Sequence, residues 1–169
     1  MIQIRNDVFE TNSSSAHTIA IKKKDKYDYD LGWYVDDNGK FELWGTDFEF
    51  GRCPFDVLMT TREKLPYFIC VFGFKKISRI IFENVPEVKE IKKPRLNRWD
   101  PEDLKGGIDH QSVGMLEHFI KEHNLTIEEA LFNTKYIIII DGDEYNTWCK
   151  MVESGIIDKE VFDDTGINC

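Results

Sequence analysis

Residues 10–17 read Glu-Thr-Asn-Ser-Ser-Ser-Ala-His, a polar link between two strand-like runs. Serine hydroxyls and an asparagine amide at a strand end can cradle a phosphate or carbonyl oxygen with help from backbone N–H groups. In an extended segment Ser13, Ser15 and His17 point the same way. A serine beside a histidine is the minimum for a nucleophile with a general base, and Glu10 or another carboxylate can orient the imidazole. The catalytic candidates are therefore Ser13, Ser15, His17 and Glu10, with Arg5, Asn12 and Ser14 as ligand contacts. The same residues would also make an Asx/Ser turn with His17 bonded at the core edge. Both readings stay open on sequence alone.

A second candidate is Asp141-Gly142-Asp143-Glu144, directly after an apolar run. Ligands often sit off the carboxyl ends of strands. Asp141, Asp143 and Glu144 could there hold Mg²⁺ with several waters and a substrate phosphate. A calcium loop is excluded because Tyr145 and Asn146 do not continue that pattern. The competing reading is a turn in which Asp143 caps the next helix and Glu144 favours its dipole. His110, His118 and His123 are spaced by eight and five, which does not converge on zinc; His118 and Glu122 alone have i,i+4 spacing. Lys92-Lys93-Pro94-Arg95-Leu96-Asn97-Arg98-Trp99 sets basic residues beside one aromatic, the only segment suited to a nucleic-acid backbone. A solvated loop docking on the acidic portion, or a partner contact, accounts for it without nucleic acid and is preferred. No P-loop, G-x-G-x-x-G, H-E-x-x-H or G-x-S-x-G is present.

The opening Arg5-Asn6-x-Val8-Phe9-Glu10-Thr11-Asn12-Ser13-Ser14-Ser15-x-His17 resembles the start of a set of proteins from bacteriophages and Gram-positive bacteria. The resemblance spans roughly the first 20 residues and brings no activity with it. It implies a phage or mobile-element accessory protein, anti-defence roles included, and it favours Asn12 to His17 as a site.

The 169 residues carry a net charge of -9, unevenly distributed. Residues 1–74 hold 9 Lys+Arg against 12 Asp+Glu, and residues 75–98 hold 8 against 3. Residues 99–169 hold 5 against 16, a net -11 that repels nucleic acid and suits a basic partner. The apolar fraction of 41% supports a core without disulfide staples, and one domain over 1–169 is expected. The first twenty residues lack a continuous apolar run, and no run approaches the ~18 residues of a membrane span. Cys53, Cys70, Cys149 and Cys169 are scattered. A cytoplasmic protein with reduced thiols and no membrane partner is expected.

These candidates must be positioned by surrounding elements. Ile2 and Ile4 alternate with polar residues, as do Ile19 and Ile21, which predicts strands. Trp33 to Trp44 reads as a hairpin around Asp36-Asp37-Asn38-Gly39, since Asn-Gly supplies positive φ angles. Pro54 predicts a helix through Phe55, Val57, Leu58 and Met59 that ends before Pro66. The run Tyr67 to Phe74 is ambiguous, Ile77 to Phe82 predicts a strand, and Pro86 to Asp103 predicts a loop. A helix from Asp109 buries Val113, Leu116, Phe119, Ile120 and His123, with Glu117 and Lys121 facing outward. Thr126-Ile-Glu-Glu129 spells a capping box. Lys135 to Ile140 predicts a buried strand, and Trp148, Met151 and Val152 a last helix. The aromatic cluster Trp33, Trp44, Phe48 and Phe50 is expected in the core. The order of elements predicts an α+β fold.

Two functions follow. One is an inhibitor or accessory protein that presents an acidic surface to a basic host protein. The other is a small enzyme or binding protein for a nucleotide or phosphorylated metabolite. In it Asn12 to Ser15 hold the phosphate, His17 acts as base, and Asp141 with Asp143 holds a metal.

Overall fold

The computed structural model describes residues 16–21, 31, 34–48, 50, 56–94, 104–105, 108 and 114–141. It is a mixed α+β fold. Its centre is strand β5, Tyr136–Asp141, whose four consecutive isoleucines prefer the pleated, crowded environment of a sheet. β1, Ala16–Ile21, and β3, Asp56–Leu58, flank it, both antiparallel. Ile137 to Ile140 are each at most 2% exposed, so β5 is buried on both faces. Ile19, Ile138 and Leu58 form one buried row across the three strands.

Two expectations fail between residues 54 and 82. The segment expected to be helical contains β3, because Val57 and Leu58 pair with β5. Helix α1, Thr61–Phe72, begins only after Thr60, whose side chain accepts from the Glu63 amide while Glu63 reaches back to the cap. It continues through Pro66. Pro66 cannot donate to the carbonyl of Arg62, a loss of about 3 kcal/mol in an exposed helix. Burial of Leu65, Tyr67, Phe68, Ile69 and Cys70 offsets it. Gly73, at φ 91° and ψ 149°, then turns the chain directly into helix α2, Phe74–Asn84. The expected strand at 77–82 lies in that helix. Ile77, Ile80 and Ile81 are buried at helical spacing, while Lys75, Lys76, Arg79 and Glu83 face out. The 3.6-residue period outweighs β-branching here.

β2, Lys40–Glu42, follows the Asn38-Gly39 turn, in which Gly39 has φ 79° and Val35 bridges Phe41 antiparallel. β2 also pairs in parallel with β4, Glu90–Lys92, inside the segment expected to be loop. Lys92 bonds Glu42 across that pair, which ties down the start of the basic 92–99 segment. Helix α3, Met115–Glu122, buries Leu116 and Phe119 and lies against β1. Glu117 and Lys121 are exposed. Asn124 takes the left-handed conformation that ends the helix, and the Leu125 amide donates to Ile120 O. Helix α4, Ile127–Phe132, starts with the capping box at Thr126 and Glu129. Asp109, Val113 and the 148–152 segment lie outside the described residues. No helix among the described residues is long and apolar enough to cross a membrane.

Candidate functional site

The 3₁₀ turn Gly45–Phe48 follows β2 and packs on α1. Between that turn, the start of β3 and the first turns of α1 lies a cleft of about 270 Å³. Its floor is apolar, built from Phe50, Leu58, Pro66 and Ile140. Its walls are polar: Asp47 and Thr46 from the turn, Asp56 from β3, and Arg62 and Glu63 from α1. Tyr34 closes one side.

Local rules put these groups there. Asp47 is held by the Trp44 amide, which donates to its Oδ2 at 2.8 Å. Asp56 accepts from the Val57 amide through Oδ1 at 2.8 Å, and Glu63 accepts from Met59 and Thr60 through Oε2. In each carboxylate the other oxygen makes no hydrogen bond among the described residues. Tyr34 meets Phe41 edge-on at 5.2 Å and Trp44 at 6.3 Å. The Arg62 guanidinium lies 5.8 Å from the centre of the Tyr34 ring. Trp44 itself is 57% exposed, against the expectation that it joins the core. Phe48 and Phe50 are buried as expected, while Trp33 lies outside the described residues. The strand period explains Trp44: Phe41 and Leu43 point inward, so Glu42 and Trp44 point out. That alternation was readable in Phe-Glu-Leu-Trp.

Among the described residues the cleft sets three carboxylates against one guanidinium. Burial pushes the Asp47 carboxyl above its ordinary value, and the Trp44 amide only partly opposes this. Burial first, and then the nearby Asp47 charge, push the Tyr34 hydroxyl up. A carboxyl raised on folding stabilises the fold fully below its unfolded pKa, and that stability is lost as pH rises through the folded pKa. Asp47→Asn removes the ionisation and keeps an acceptor for Trp44. Thermal unfolding of the two proteins should therefore diverge in favour of the variant as pH rises from about 4 upward. A difference independent of pH would show that Asp47 is not desolvated.

No protein-family model, curated protein or solved structure matches the chain.

Of the candidates read from sequence, the structure places two by their register. His17 lies in β1 opposite Ile140, and Asp141 ends β5 opposite Ala16. Ile140 is also the partner of Asp56, so His17, Ile140 and Asp56 occupy one transverse row, and the last two line the cleft. Ala16, which follows the hydroxyl-rich segment, thus neighbours Asp141, the first residue of the acidic sequence 141–144. Arg5, Glu10, Asn12, Ser13, Ser14, Ser15, Asp143 and Glu144 lie outside the described residues. His118 is exposed and pairs with Glu122 at 3.6 Å, and His123 rests on Phe119. Among the described residues no three His, Cys, Asp or Glu side chains are arranged to hold a metal. Cys70 is buried, and burial pushes its thiol up to about 12, so it is no nucleophile.

Proposed function

We propose that the protein is an accessory or inhibitor protein that acts by binding a basic surface of a partner protein. The observation that carries this reading is the cleft, where among the described residues Asp47, Asp56 and Glu63 outnumber Arg62, with the exposed Trp44 bonded through its amide to Asp47. The net -11 of residues 99–169 supports it from sequence. Exposed aromatics beside desolvated charge are typical anchors of protein interfaces. The resemblance of residues 5–17 makes a phage-encoded, anti-defence role in the host cytoplasm the setting for this reading. The reading takes the chain as one domain, with amino-terminal antiparallel strands and the 33–44 hairpin followed by helices around the 135–140 strand.

The test uses immobilised protein with short polyarginine and polylysine as basic probes and polyglutamate as control. Binding of the basic probes should weaken about tenfold or more between 50 and 300 mM salt, as screened charge pairs do. Salt-insensitive binding, or none, overturns the reading.

One observation favours a second reading, a nucleotide or phosphorylated-metabolite site. The register that sets Ala16 opposite Asp141 starts the two polar segments from neighbouring points on the sheet. There Asn12 to Ser15 would hold phosphate, His17 would act as base, and Asp141, Asp143 and Glu144 would hold Mg²⁺. A thermal shift with nucleotide and Mg²⁺ that His17→Ala abolishes, at unchanged melting temperature, is the result that selects this reading over the first.

A further inference from the structure

We infer that the cleft between the Gly45–Phe48 turn and α1 receives the guanidinium of an arginine side chain from the basic partner. This deepens the proposed function and rests on it. Size is the first argument. At about 270 Å³ the cleft lies below the roughly 300–1,000 Å³ of small-molecule sites, and it suits one long side chain entering from the surface. Its depth is lined by Ile140, Leu58 and Phe50, which suit the apolar stem of such a residue.

Charge is the second argument. Asp47 and Asp56 enter from different elements, and each uses one oxygen on a local amide. Their remaining oxygens can accept from a guanidinium fork. Among the described residues of the cleft Arg62 faces three carboxylates, so an incoming cation improves the charge balance there. Asp47 already bears the desolvation cost of its position, and this raises the gain from a cation that arrives beside it.

Aromatic geometry separates arginine from lysine. Trp44 is exposed, its amide bonds the cleft residue Asp47, and its ring lies 6.3 Å from that of the cleft residue Tyr34, so an exposed aromatic surface adjoins the cleft. A planar guanidinium stacks on an aromatic face while it donates in its own plane, which an ammonium cannot do. Arg62 over Tyr34 shows the same contact within the protein.

The experiment is calorimetric titration of the 169-residue chain with a nine-arginine peptide and a nine-lysine peptide of equal charge. The arginine peptide should bind about tenfold more tightly. Trp44→Ala and Asp47→Asn should each weaken arginine binding about tenfold and leave lysine binding nearly unchanged, and Trp44→Phe should restore most of the loss. Trp44 is exposed, and Asp47→Asn retains a side-chain oxygen to accept from the Trp44 amide, so neither change threatens the fold. Equal affinity for both peptides, or arginine binding untouched by these variants, overturns the cleft assignment and leaves the acidic-surface reading standing. Loss of binding to both peptides overturns that reading as well.

Discussion

Lys64→Met should cost the protein about 3 kcal/mol or more, measured as a fall in the denaturant midpoint at unchanged slope. Lys64 is 1% exposed in the first turn of α1, beside the buried Leu65 and Phe68. Its Nζ donates to Ala130 O at 2.8 Å, Asn133 O at 2.9 Å and Tyr136 O at 3.0 Å. The first two carbonyls lie at the end of α4, where the helix dipole is negative, and the third opens β5. Thr61 adds a bond to Leu131 O at 3.4 Å. One ammonium thus joins α1, the six-residue α4 and the central strand. Methionine preserves much of the stem's packing but takes the ammonium donor from the buried Ala130 carbonyl and from the half-buried carbonyls of Asn133 and Tyr136. Lys64→Arg should not rescue stability, because a site this closed has no room for the larger head. A loss under about 1 kcal/mol would mean that the ammonium does not hold these elements together.

Lys64 also marks where sequence reading stops. The buried β5 was legible because four isoleucines in a row have few other places to go. The Thr126 capping box and the Asn38-Gly39 turn were legible because both are local codes, complete within four residues. The α1 and α2 helices were not. Pro66 and the β-branched Ile77, Ile80 and Ile81 are local signals against helix, and burial overrode them. β4 was missed because its pairing with β2 joins residues 50 apart in sequence. The cleft was missed for the same reason. Asp47, Asp56 and Arg62 each have an ordinary local role, and only the packing of turn, strand and helix brings them to one opening. Trp44 was the exception, since strand alternation already pointed it outward.

Gly39→Ala should lower the melting temperature by roughly 5–10 °C, the consequence of about 2–4 kcal/mol of strain. Gly39 sits at φ 79°, which costs an alanine about 1–2 kcal/mol. It is also buried, and a Cβ there would lie 2.6 Å from the Glu87 carbonyl oxygen. Its own carbonyl accepts from the amides of Lys89 and Glu90, so the clash falls on the joint between β2 and β4. The effect reaches the cleft through two bonds. The Asp36 amide donates to Lys40 O and the Glu42 amide to Tyr34 O, so displacement of the turn shifts Tyr34, and with it the edge that meets Trp44. Binding of the nine-arginine peptide should therefore weaken together with stability. Gly39→Asn separates the two causes, because asparagine tolerates positive φ yet carries a Cβ. It should lose nearly as much as alanine. If asparagine instead restored full stability, the Glu87 contact would not exist. The aromatic edge of the cleft would then be held by the hairpin alone.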